Sequence, residues 1–315
     1  LRQILIFFKI KADYDLNLMK SNQNLEDLSS NLITKITTIL KIEKPDCVIV
    51  QGDTTSASMG ALVGFYNKID VAHVEAGLRT YDIYQPFPEE INRKIISAIA
   101  KFHFAPTKKS KENLIKENDN KKFIFTTGNT VIDSLYFVID NIKKNNRKYY
   151  QKLKEIIQID TSNKLLITVT FHRRENLEIG LKNICKAMLE IVSENNKILF
   201  IIPAHLNPKI RVYFKKIFKA NKSIIIIEPL TYNLFIYLLM SSYLVVTDSG
   251  GVQEEAPYLK KPLLIIRKKT ERSENLINNT AILSGIEKNK IKKNIKRLIN
   301  DKTFYNKMIS SKKLL

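Results

Sequence analysis

Short apolar runs recur along the chain, separated by stretches where apolar residues return every three or four positions. In the first half the runs are DCVIVQ (46–51), VAHV (71–74), FHFAP (102–106) and FIFTTG (123–128). In the second they are LLITVT (165–170), ILFIIP (198–203), SIIIIEP (223–229), YLVVTD (243–248) and PLLIIR (262–267). Near-continuous Val/Ile/Leu runs this short predict strands buried on both faces, the habit of parallel sheets covered by helices. Between them, segments such as 25–40 set Leu25, Leu28, Leu32, Ile36, Ile39 and Leu40 on one helical face. Strand and helix in repeated alternation predict an α/β, doubly wound architecture. Residues 141–163 break the rhythm, being charged, Asn-rich and without a strand. They read as the connection, with room for a surface helix, between two Rossmann-like domains at 1–145 and 160–315. Ligands of open α/β sheets bind beyond the carboxyl ends of the strands, so two such domains facing each other would form a cleft.

Polar residues cluster at those strand ends. After the first run comes GDTTS, with Gly52 for a tight turn, Asp53 at the strand's end, and Thr54 or Thr55 to cap the next helix. After VAHV come Glu75, Arg79 and Asp82 on an irregular stretch, which Pro86 and Pro88 keep out of helix until EEINRKIISAIA begins. Helix-dipole stabilisation of a first-turn carboxylate accounts for one of Glu89 and Glu90. His73, inside the strand, reads as a packed or hydrogen-bonded core histidine. After LLITVT come His172, Arg173 and Arg174, a proton carrier beside groups suited to phosphate or carboxylate. After ILFIIP comes His205, which competes with His172 for an acid–base role. After YLVVTD, Ser249, Gly250 and Gly251 open a helix whose N–H groups make an anion site, and Glu254 or Glu255 lies one turn on, in reach of ribose hydroxyls. Arg272, after PLLIIR, is placed to meet a phosphate.

Composition narrows the possibilities. In 315 residues, 44% apolar and 26% charged content describe a globular chain with ample core material. No run approaches the roughly 18 to 20 apolar residues of a membrane span, so membrane insertion is not expected. Cys47 and Cys185 stand far apart in apolar segments, which argues against a disulfide framework and for the cytoplasm. The net charge of +21 comes mostly from Lys spread among Ile and Asn, without a basic face or an aromatic platform, so no nucleic-acid partner is expected. Walker A, G-x-G-x-x-G and G-x-S-x-G motifs are absent, and no His/Cys/Asp spacing suggests a metal site.

Taken in order, GDTTS, HVEAGLRTYDIYQPFPEEINR, TGNTVIDSL, HRREN, HLNP, DSGGVQEEAP and KPLLIIRKKTER resemble the non-hydrolysing UDP-N-acetylglucosamine 2-epimerases. The resemblance implies two domains of the glycosyltransferase B type with UDP-sugar in the cleft, and a homodimer. It also implies cofactor-free interconversion of UDP-N-acetylglucosamine and UDP-N-acetylmannosamine for envelope polysaccharides. Its proton-transfer and sugar-placing groups fall on Asp53, Glu75, Glu89 and His172. Its uracil and phosphate contacts fall on Ser249, Gly250, Gly251, Glu255 and Arg272, with Arg79, Arg173 and His205 counted among the substrate-binding groups. The family's opening strand with its GTRPE-type phosphate loop has no counterpart here, nor does its NPYGDG-like turn and final helix, and Phe171 replaces a Gly before His172. The chain is therefore expected to be truncated and much less active than a full-length enzyme, with a weakly active or inactive remnant as the alternative. A hydrolysing epimerase or a sugar transferase of the same fold is disfavoured by PFPEEINR.

Overall fold

The structure, a computed structural model, describes residues 2–20, 23–117, 121–171, 179–203, 208–219, 221–272 and 274–310. The chain divides into two compact units, residues 10–130 and residues 131–310 joined by 2–9. After α1 (Arg2–Phe8), which belongs to the C-terminal unit, the N-terminal unit runs α2 (Leu25–Glu43), β1 (Cys47–Gln51), α3 (Thr55–Tyr66), β2 (Asp70–Val74), α4 (Glu89–Ile99), β3 (Phe102–Ala105), α5 (Lys108–Glu117) and β4 (Ile124–Thr126). The C-terminal unit follows with α6 (Thr130–Lys144), α7 (Asn146–Ile157), β5 (Leu165–Thr170), α8 (Ile179–Glu194), β6 (Ile198–Pro203), α9 (Pro208–Phe218) and β7 (Ile224–Ile227). It is completed by α10 (Tyr232–Ser241), β8 (Leu244–Thr247), α11 (Gly250–Tyr258), β9 (Leu263–Ile265), α12 (Glu274–Ile277), β10 (Ala281–Leu283), α13 (Lys288–Asn300) and α14 (Lys302–Ser310).

All nine apolar runs form strands, every described pairing is parallel, and the expected α/β class holds. The N-terminal sheet has the order β1-β2-β3-β4. Val50, His73, His103 and Ile124 share one cross-strand row. Helices α3 and α4 bury Val50 and Val71, and α5 packs Leu114 on Ile124, so all three cover the same face. Gly60 and Gly64 of α3 bring that helix close to Val48, Val50 and Val71. The other face differs from the expectation of burial on both sides: Ile49 is 69% exposed and Phe125, stacked on Phe104, 43%. Strands connected in sequential order by same-handed crossovers receive their helices on one side.

The C-terminal sheet has the order β10-β9-β8-β5-β6-β7. That is the doubly wound arrangement, with strand order reversing between β5 and β8. Its strands are buried on both faces: Ile167, Val169 and Val246 pack with α8 and α13, while Leu166, Val245 and Ile265 pack with α6, α7, α10 and α11. The expected linker over 141–163 is corrected. Helices α6 and α7 occupy most of it and pack in the C-terminal unit, and the division falls at 130/131 rather than within 145–160. Only Tyr149, Leu153 and Ile157 of α7 are buried, one residue per turn, which is too thin an apolar stripe to stand out among lysines and asparagines. Among the described residues, no helix is long and apolar enough to cross a membrane.

Candidate active site

The N-terminal unit collects carboxylates at the carboxyl ends of β1 and β2. Thr54 caps α3, its Oγ1 accepting from Ala57 N at 3.2 Å, which leaves Asp53 free of the capping role. Helix α4 holds Asp53 instead. Asn92 Nδ2 donates to the Asp53 carbonyl (2.8 Å), and Arg93 donates from Nε (3.0 Å) and Nη2 (2.6 Å) to Asp53 Oδ2. Glu75 follows β2 directly, at φ 65°, in the left-handed region that a non-glycine residue seldom occupies outside constrained, often functional, positions. Its carboxylate lies over the Gly52 turn, Oε2 standing 3.5 Å from where a Cβ on Gly52 would be. Glu89 is the first residue of α4, and Asn92 and Arg93 follow it at the i+3 and i+4 positions of the same helical face. Asp53, Glu75 and Glu89 thus converge on two strand ends and one helix N-terminus.

The rest of the HVEAGLRTYDIYQPFPEEINR stretch supports this set. Glu90, fully buried, accepts from the backbone N–H of Thr80 and Tyr81 (2.9–3.1 Å) and from Arg93 Nη1 (2.9 Å), so it ties the irregular loop to α4. The helix dipole favours Glu89 and Glu90 alike; burial separates them. Gly77, at φ +87°, is needed because a Cβ there would stand 2.2 Å from the Ser110 carbonyl oxygen of α5. Arg79 departs from the expected substrate-binding role. Its side chain is fully buried, donating to Glu117 from Nε and Nη2 (2.7–3.0 Å), to Leu78 O and to Ser97 Oγ (2.8 Å each). An arginine so engaged braces α5 against α4.

His73 is the core histidine that its position in the strand implied. Its Nε2 lies 2.8 Å from the Gly52 carbonyl, which assigns the proton to Nε2 and steadies the turn bearing Asp53. Burial holds its pKa down at about 4, against the hydrogen bond to Gly52, and the neighbouring His103, also lowered chiefly by burial, disfavours the charge further. Between pH 6.5 and 4 the unfolded chain binds a proton on His73 that the folded chain does not, so stability is intact above pH 6.5 and falls as pH drops through this window. At about 1.4 kcal/mol per unit, His73 is expected to cost on the order of 3 kcal/mol by pH 4. Urea unfolding of the protein and of His73→Gln across pH 4–7 checks this: the variant should show a shallower loss, and identical slopes would refute it.

In the C-terminal unit, the residues expected to form an anion site sit where strand order reverses. Thr170 Oγ1 and Thr247 Oγ1 are hydrogen-bonded at 2.5 Å across β5 and β8, Asp248 N donates to Thr170 O, and Ser249 N donates to Thr247 Oγ1 at 2.9 Å. This stitching fixes Ser249 as the residue preceding α11, with Gly250 and Gly251 in its first turn. Arg272 lies across Gly250, where a Cβ would stand 2.8 Å from its Nη1. The sequence left Glu254 and Glu255 as alternatives, and the structure separates them. Glu254 Oε1 accepts from Arg272 Nε (2.6 Å), whereas Glu255 is buried and accepts from Tyr232 Oη (2.8 Å). Burial pushes the Glu255 carboxyl up to about 7, against the Tyr232 hydrogen bond. Near neutral pH it can therefore accept from or donate to a diol. The candidates His172, Arg173 and His205 lie outside the described residues.

Arg93, Asn92 and Tyr232 were missed by sequence reasoning as members of these networks, and Glu254, named there for ribose, pairs with Arg272 instead. Asn92 and Arg93 could have been found from their i+3 and i+4 spacing to Glu89; nothing local points to Tyr232, which lies 23 residues from Glu255.

A solved UDP-GlcNAc 2-epimerase from Neisseria meningitidis, bound to UDP-GlcNAc, is similar to this chain at a TM-score of 0.94 and 42% identity, covering 99% of this chain and 83% of that one. The Methanocaldococcus jannaschii UDP-GlcNAc 2-epimerase, in complex with UDP-GlcNAc and UDP, is similar at 0.85 and 35%, covering 95% and 81%. Two parallel α/β units of this topology place the chain in the glycosyltransferase B class of folds. A family model described as UDP-N-acetylglucosamine 2-epimerase matches residues 1–315. The Campylobacter jejuni UDP-N-acetylglucosamine 2-epimerase is 47% identical over 313 residues, 98% of this chain and 81% of its own length. The chain belongs to the UDP-N-acetylglucosamine 2-epimerase family.

Proposed function

We propose that this isomerase interconverts UDP-N-acetylglucosamine and UDP-N-acetylmannosamine by elimination and re-addition of UDP. The C2 proton passes to a base on the enzyme as the C1–O bond breaks and UDP departs with the bonding pair, leaving 2-acetamidoglucal. UDP then adds back to C1, and a proton is delivered to C2 from the opposite face. No electron is gained or lost overall, so the reaction asks for proton carriers and for fixed charge on the diphosphate. The observation that carries the assignment is the convergence of Asp53, Glu75 and Glu89 on the ends of β1 and β2 and the start of α4. Proton transfer and sugar placement are assigned to these carboxylates with His172. Contacts to UDP are assigned to Ser249, Gly250, Gly251, Glu255 and Arg272, with Arg173 and His205 alongside. The same assignment carries with it the homodimer, the cytoplasmic setting and the envelope-polysaccharide role that the sequence resemblance implies.

Incubating the protein with UDP-N-acetylglucosamine in heavy water tests it by proton NMR. Loss of the C2–H signal, with appearance of the manno epimer, is the expected result. A persistent C2–H signal with folded protein sinks the assignment.

A further inference from the structure

We propose that Glu271, shared between Arg267 and Arg272, is a positioning residue that holds the Arg272 guanidinium across Gly250 for the anionic ligand of the α11 N-terminus. This role rests on the assignment of Ser249–Gly251 to the UDP site. Each oxygen of the Glu271 carboxylate takes one arginine: Oε2 accepts from Arg267 Nη1 at 2.9 Å, and Oε1 accepts from Arg272 Nη1. The Arg267 and Glu271 side chains are 4% and 1% exposed, so this is a buried arrangement rather than a solvated surface pair. Arg267 is anchored at the sheet, directly after the residue whose N–H donates to Thr247 O at 2.8 Å, beside the strand that leads to Ser249. The turn from 267 to 272 is tied onto α11 as well, Thr270 Oγ1 donating to Gln253 Oε1 (2.6 Å) and Asn275 Nδ2 to Gln253 O (2.7 Å).

Two physical consequences follow. A free arginine side chain loses rotamer entropy when a ligand immobilises it, and here Glu271 has ordered it beforehand. Glu271 divides its carboxylate between two guanidiniums and Glu254 takes the remaining edge of Arg272, so what Glu271 contributes is the placement of the Arg272 guanidinium rather than a surplus of charge. Glu254, at 20% side-chain exposure, takes the Nε edge of Arg272, which leaves Glu271 to set the edge facing Gly250.

Calorimetric titration of UDP into four proteins tests the proposal: the parent chain, Glu271→Gln, Arg272→Met and the double variant. Glu271→Gln is expected to weaken UDP binding by about tenfold, the scale of a hydrogen bond to a charged group. In the Arg272→Met background the same change should alter affinity by less than about twofold, because Glu271 acts only through Arg272. Equal losses in both backgrounds would mean a merely structural role and overturn the proposal. If Glu271→Gln does not fold, Arg267→Met, alone and with Arg272→Met, gives the same background comparison: a loss confined to the Arg272 background supports the proposal, and equal losses overturn it. UDP binding indifferent to these changes refutes the role of Glu271 alone; a parent chain that fails to bind UDP refutes the UDP site with it.

Discussion

Replacing Glu75 by Gln is expected to slow deuterium incorporation at sugar C2 by about 10²–10⁴-fold, the range for losing a positioned acid–base group. UDP affinity should stay within about twofold of the parent, because the UDP contacts are assigned to residues of the other unit. Glu75 is held in the left-handed region at the end of β2, with its carboxylate over the Gly52 turn, so the isosteric amide keeps the shape of the side chain and removes its proton chemistry. Asp53→Asn should show a similar loss, with some destabilisation added because Asp53 also accepts from Arg93 at 2.6 Å. Single-turnover NMR in heavy water beside UDP calorimetry separates the two effects. A Glu75→Gln enzyme with unimpaired exchange would remove Glu75 from the proton-transfer set.

The largest stability effect is expected at Arg93. Its side chain is 2% exposed, and it joins Asp53 to Glu90, whose side chain is 0% exposed. Arg93→Met leaves the Glu90 carboxylate buried with the Thr80 and Tyr81 N–H groups for support but no cation beside it. Breaking one side of such a pair costs about 3–5 kcal/mol, or a fall in Tm of roughly 10 °C for a body of this size. Replacing both members removes the stranded carboxylate, so Arg93→Met with Glu90→Leu should recover part of the loss, less what the Thr80 and Tyr81 contacts contributed. Thermal and urea unfolding of the single and double variants decide the matter. A single variant within about 1 kcal/mol of the parent would show that the network does not hold the loop.

Much of the fold was legible because parallel strands are short and nearly uniform in apolar character. All nine runs became strands, and β10 escaped only because AIL, at 281–283, offers three apolar residues between polar flanks. The candidate site was legible to the extent that strand ends and helix starts can be read from local pattern, which brought out Asp53, Glu75, Ser249, Gly250 and Gly251, while only the family resemblance separated Glu89 from Glu90. Arg79 misled because a loop arginine beside carboxylates looks the same in sequence whether it faces ligand or braces α5. Its partner Glu117 lies 38 residues away.

The sequence by itself determined the α/β class, the positions of nine strands and the family, since each rests on local periodicity or contiguous motifs. Tertiary structure decided which charged group does what. Glu90 and Arg79 became internal braces, Glu254 turned to Arg272 while Glu255 went to Tyr232, and Arg267 and Glu271 came to support a third residue. The reason is physical: a carboxylate's role depends on whether it is buried and which cation it meets, and both follow from contacts between residues far apart in the chain.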